Sequence, residues 1–352
     1  MRGAIQKIRG WFRQGRRTAV WTAFFLSLAL GLLLVRAIAL NLGLEERPVT
    51  FGATFSKPYA EQLGLDWKTA LTDSMDELGI IHWRIPAYWD ELEPEPWSYD
   101  FSVLDWQLEE ISKRQGTVIL AIGRKLPRWP ECHVPEWAKY LPEEVIRQRL
   151  LKAMEATVIR YRDNPTVTVW QVENEPFFPF GECPKPDADF LKQEISLVKS
   201  LDARPVMVTE SGELSTWVRA AGLADILGIS TYRVVWSRYF GNLYWPVTPN
   251  SYRHRAEAIG PLVRKTIISE LQAEPWTDGP IENIPLDRQT DIMDPKRLMS
   301  NVSFARRMGM DEAYLWGVEW WYWLRQHDRP EMWETARELM RKDRAPHAQT
   351  PR

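Results

Sequence analysis

Cysteine and histidine are scarce in this chain, with two Cys and five His in 352 residues. Cys132 and Cys183 have no second Cys or His pair at metal-ligand spacing, which removes a structural zinc site from consideration. There is no His cluster and no glycine-rich phosphate loop, so neither a metal hydrolase nor a nucleotide enzyme is indicated, and no cofactor is expected. Short-period repeats and low-complexity stretches are also missing. A strong overall charge is absent too: the net charge is −2. That balance hides an asymmetry. Residues 1–18 carry six Lys or Arg and no acid, which leaves −8 for the rest (−2 minus +6). Phosphate binding needs clustered cations on the domain itself, so no nucleic-acid partner is expected.

What is abundant is tryptophan. There are 19, only two of them before residue 49, and many stand beside Pro or Gly in loop-like segments. The basic residues 1–18 precede the uncharged apolar run 19–35, AVWTAFFLSLALGLLLV, and positive charge before an apolar helix keeps that end in the cytoplasm. We therefore expect a basic tail (1–18), a signal anchor or transmembrane helix (19–42), a linker (43–48), a catalytic-type domain (49–343) and a C-terminal tail (344–352). The domain would face outward on a membrane anchor. The alternative is a secreted domain released by cleavage near Ala37-Ile38-Ala39.

From Val49 onward, apolar strand-like runs alternate with amphipathic segments. The runs start near Val49, Ile80, Thr117, Thr166, Pro205, Asp225, Lys265 and Glu312, and helical patterns such as 67–78, 143–162 and 295–308 lie between them. Eight alternating β and α units predict an α/β fold, a (β/α)8 TIM barrel, with a doubly wound sheet as the other possibility. In such a barrel the loops after the strands gather on the catalytic face, and here they are rich in Trp and Pro. Cys132 and Cys183 fall in the loops after the third and fourth strands. In an exported domain this predicts a disulfide between them, stabilising by roughly 4 kcal/mol on the chain-entropy model.

Two of the runs end in acid. TVTVWQVENEP (166–176) delivers Glu175 just before a proline that should stop the strand. The seventh run, Thr266-Ile267-Ile268-Ser269, delivers Glu270, 95 residues later in sequence. Strands four and seven can aim their carboxylates across a barrel mouth, and two carboxylates about one cleft are what glycoside hydrolysis requires. Glu274 is a second acid in the same loop and the other candidate for the attacking group. Glu173 is read as a barrel-wall carboxylate.

Asn174-Glu175-Pro176 after one strand, with Ser269-Glu270 after a later one, resembles clan A glycoside hydrolases, the retaining (β/α)8 enzymes that include cellulase-like, mannanase-like and xylanase-like families. The resemblance runs over roughly residues 49–340. It implies Glu175 as acid/base, Glu270 as nucleophile and Asn174 on the sugar 2-hydroxyl. It also implies Arg84 beside the nucleophile, Tyr232 hydrogen-bonded to it, and Trp316 or Trp320 as the sugar platform. Trp89, Trp129 and Trp276 are further candidates for stacking on sugar. The chain departs from the clan at strand six, where the usual His-x-Tyr is Ser230-Thr231-Tyr232. The expected activity is retaining hydrolysis of a β-linked oligo- or polysaccharide, or transglycosylation with the same two acids. The expectation from another class is a glycan-binding barrel without catalysis.

Overall fold

The computed structural model describes residues 44–344 and, ahead of them, 21–22, 24–28 and 31–32. Contacts divide the chain into residues 1–45 and 46–352, the second unit holding the whole barrel. The basic tail, most of the expected apolar span and all but the first residue of the C-terminal tail lie outside the described residues. Among the described residues no helix is long and apolar enough to cross a membrane.

Eight parallel strands close a barrel: β1 (Thr50–Thr54), β2 (His82–Pro86), β3 (Thr117–Ile122), β4 (Val167–Val172), β5 (Val206–Ser211), β6 (Ile226–Thr231), β9 (Lys265–Gln272) and β10 (Glu312–Trp316). β10 pairs with β1 to complete the ring. Between β6 and β9 the chain inserts an antiparallel hairpin, β7 (Val234–Ser237) with β8 (Gly241–Tyr244), where the sequence reading had only a loop.

The barrel strands bury residues on both faces, as a barrel covered by helices demands. Outward residues such as Trp83, Trp170 and Leu271 pack under the helices in the main core. Inward residues Ile119, Met207, Ile267 and Tyr314 form a smaller layer inside the ring. Gly52 makes room for that layer: a Cβ there would lie 2.8 Å from the Tyr314 ring and 2.4 Å from the His82 carbonyl. Several helices start on side-chain caps, including Ser56, Asp187 and Asp294, which fixes where the chain leaves the preceding loop.

Cys132 and Cys183 form a disulfide that joins the loop after β3 to the loop after β4. The strands thus lift their C-terminal ends toward one face, and the loops of that face are stapled together above them.

Candidate active site

β4 ends at Val172, with its apolar run and three residues before the strand end expected at Glu175. Glu173 and Glu175 have φ of 58° and 44°, so the chain turns sharply through left-handed conformations rather than staying extended up to the proline. Glu173 accepts the backbone N–H groups of Arg124 and Lys125, both at 2.6 Å, and is committed to tying β4 to the β3 loop. Its role is structural. Glu175 is held by its backbone, its N–H donating to Thr209 Oγ1 (2.8 Å) and its carbonyl accepting from Lys125 Nζ (3.0 Å). That leaves its carboxyl facing the cavity.

Glu270 reaches the same cavity by a different device. Along β9 the pairing with β6 steps from Ile229↔Ile268 to Ser230↔Glu270, so Ser269 is an extra residue on that strand. The ladder with β10 shifts over the same stretch. Such a bulge reverses the alternation and turns Glu270 inward, although Ile268 two residues before it points out to the helices.

Around Glu270 the ligands are complete. Fully buried Arg84 donates from Nη1 to Glu270 Oε1 (2.8 Å), from Nη2 to Asn174 Oδ1 (2.6 Å) and from Nε to Gln171 Oε1 (2.7 Å). Tyr232 OH donates to Glu270 Oε2 (3.0 Å). Burial, and then the charge of Glu270, push the Tyr232 hydroxyl well above its ordinary range, so it stays a donor. Thr209 Oγ1 also donates to Asn174 Oδ1 (2.9 Å), which fixes the amide with its N–H side toward Glu131 and the cavity.

Glu175 is electrostatically unlike a surface acid. Burial first, and the neighbouring Glu270 second, raise it to about 8, against the opposing hydrogen bond from Ser230 Oγ to Oε1 (2.5 Å). Ser230 therefore supports Glu175 at the position where the sequence departs from His-x-Tyr. At neutral pH Glu175 is protonated. An acid-dependent rate must then fall as pH rises through about 8. Ser230→Ala removes a bond that favours the charged form. Losing a bond that favours the carboxylate over the acid by about 1 kcal/mol moves the basic limb of kcat/KM upward by roughly 0.7 pH unit. A pH–rate profile of the two proteins checks both position and direction.

The cavity has a volume of about 650 Å³, within the range of small-ligand sites. Asn174, Glu175, Tyr232, Glu270, Trp129, Trp276 and Trp316 all line it. Arg84 lies directly beneath, in contact with Glu270 and Asn174. Two tryptophans expected there are elsewhere. Trp89 sits in a short helix (Trp89–Leu92), is buried, and donates to Glu93 Oε2. Trp320 belongs to the helix Val318–Gln326, points into the core, and donates to Gln289 Oε1. Both lie where helix packing, not the loop face, sets their environment.

Two residues at the site, Glu131 and Arg128, carried no distinctive sequence signal. Glu131, buried in the cavity wall beside the disulfide, is pushed well above the usual carboxylate range by burial, then held back by Lys125. His133 and Glu213 also face the cavity. Glu274 is bound by Arg128 and accepts from Trp316 Nε1 (2.8 Å), so it fixes the ring it stands beside. Arg124 and Lys125, in the loop after β3, are taken up by Glu143 and by the Glu175 and Phe178 carbonyls. Among the described residues no group of three or more His, Cys, Asp or Glu is placed to hold a metal ion.

Glu175, pushed up by burial, and Glu270, paired with Arg84, thus share one barrel mouth. Residues 61–204, less than half of the chain, match the beta-galactosidase family Glyco_hydro_42. Among solved structures, a GH5_18 protein from Bifidobacterium longum subsp. longum is similar at TM-score 0.59 and 13% identity, over 84% of this chain and 80% of that one. An exo-beta-1,4-mannosidase from Opitutaceae bacterium strain TAV5 gives TM-score 0.58 at 13% identity, over 88% and 62%. A family 10 endo-beta-1,4-xylanase from Gloeophyllum trabeum gives 0.54 at 15%, over 76% and 83%. At these identities the likeness to these structures is one of fold. No curated protein matches the chain.

Proposed function

We propose that this protein is a retaining β-glycoside hydrolase in which Glu175 is the acid/base and Glu270 the nucleophile. One observation carries the reading: Glu270 is oriented by Arg84 and Tyr232 in the cavity where Glu175 is held protonated. A carboxyl group kept protonated by burial beside one paired with an arginine is the arrangement of an acid and nucleophile pair.

Glu175 gives its proton to the glycosidic oxygen as the Glu270 carboxylate attacks the anomeric carbon. The C–O bond to the leaving group breaks and a glycosyl ester forms on Glu270. Glu175, now ionised, takes a proton from the incoming water, whose oxygen displaces Glu270 and restores both groups. The Asn174 amide is placed to donate to the sugar 2-hydroxyl, and Trp316, locked by Glu274, offers a flat face to the ring. The family match supports a β-linked hexoside as substrate class. The disulfide, the basic residues 1–18 and the apolar run 19–35 support an extracytoplasmic location on a membrane anchor.

The test is the stereochemistry of hydrolysis. With a panel of p-nitrophenyl β-glycosides, proton NMR of the first product is expected to give the β-anomer of the free sugar. A first-formed α-anomer would instead mean single displacement by water, and Glu270 would then be a base.

A further inference from the structure

The two ends of the cavity are built differently, and the difference bears on which bond of a chain is cut. Glu175 marks the leaving-group side, because a general acid must stand at the oxygen it protonates. Its carboxyl is turned toward β6, where Ser230 binds it. The sugar that is transferred must lie on the other side, toward β9, β10 and β1.

That side is shut. Arg128, from the loop after β3, crosses the mouth to the far loops. Its guanidinium is inserted between the rings of Tyr59, from the segment after β1, and Trp316, at the end of β10, at 3.6 and 4.0 Å from their centroids. It pairs with Glu274, which follows β9, and with Glu319 Oε2 (3.2 Å), which follows β10. Glu319 in turn accepts the backbone N–H of Ser56 (2.6 Å). Four loops are thereby joined at one buried point. Farther out, Gln62 Nε2 donates to Glu282 Oε1 (3.1 Å) and bridges the β1 and β9 loops again at the rim.

A desolvated cation held by two carboxylates and two aromatic rings is not a contact that a neutral sugar displaces cheaply. We infer that this Arg128 cluster is an end wall: the site accepts one terminal sugar beyond the cleaved bond, and the enzyme removes sugars singly from the non-reducing end of its substrate. The proposal rests on the glycosidase reading above and adds its direction and step size. The leaving group departs past Leu214 and Trp236, where the cavity is bounded by the β5 loop and the β7–β8 hairpin.

The test compares p-nitrophenyl β-monosides with the matching β-1,4-biosides (glucosyl, galactosyl, mannosyl and xylosyl), following nitrophenol by absorbance and free sugar by chromatography. From a monoside, nitrophenol is expected without delay. From a bioside, free monosaccharide is expected first, and nitrophenol only after a lag while the p-nitrophenyl monoside accumulates. Arg128→Ala should shorten that lag and raise the initial release of nitrophenol from the bioside about tenfold, equal to about 1.4 kcal/mol of relieved exclusion. Because that change leaves Glu274 and Glu319 unpaired and can unfold the barrel, Tyr59→Ala, which opens the same wall without unpairing a charge, is measured beside it. Direct, lag-free nitrophenol from a bioside by the parent overturns the end wall while leaving the glycosidase reading intact. So does an unchanged lag in a folded Tyr59→Ala. Failure of the parent to cleave any glycoside of the panel overturns both.

Discussion

Glu175→Gln is expected to lower kcat/KM on glycosides with poor leaving groups, such as methyl or disaccharide glycosides, by about 10²- to 10⁴-fold. On 2,4-dinitrophenyl glycosides the loss of kcat/KM should be small, since a leaving group that good needs no proton. Hydrolysis of the glycosyl ester still needs a base, so the ester accumulates and kcat falls. Azide, which needs no deprotonation, restores turnover and gives a β-glycosyl azide. The basic limb near pH 8 should vanish from the profile with the carboxyl that produces it. Steady-state kinetics across a leaving-group series, with and without azide, separates this outcome from simple misfolding, which lowers all substrates alike.

Arg84→Met should have the second largest effect, on activity and stability together. The guanidinium satisfies Glu270, Asn174 and Gln171 at once from a fully buried position. Its loss leaves a carboxylate in the barrel interior without its cation, a change that typically costs about 3–5 kcal/mol. Glu270 loses its orientation in the same step, and kcat/KM should drop by about three orders of magnitude, about 4 kcal/mol of transition-state stabilisation. Urea denaturation gives the first figure and kinetics the second. A variant with wild-type stability and activity would remove Arg84 from the account.

The alternation of eight apolar runs with helical patterns was legible because a buried parallel barrel writes a strong local signal: β-branched runs, polar loop residues and acids or prolines where strands stop. The pair Glu175 and Glu270 was legible for the same reason, each standing last on its run. How Glu270 comes to face inward was not. Strict alternation from Ile268 would send it outward, and only the bulge at Ser269, a property of its pairing with β6 and β10, turns it in. Trp89 and Trp320 were misread because tryptophan beside a loop looks the same in sequence whether the next turn of helix buries it or not. Glu131 and Arg128 became visible only in three dimensions: both lie in the loop tied down by Cys132, and their partners Glu270, Glu274 and Trp316 are more than 130 residues away in the chain.

The central claim is that Glu270 becomes covalently attached to sugar. It is tested most directly by inactivating the parent with a 2-deoxy-2-fluoro β-glycosyl fluoride of whichever hexose the panel selects, then mapping the modified peptide by mass spectrometry. The account predicts one equivalent of fluoro-sugar, located on Glu270, and none in Glu270→Gln. Label on Glu274, or complete hydrolysis of the reagent with inversion and no label at all, would contradict it.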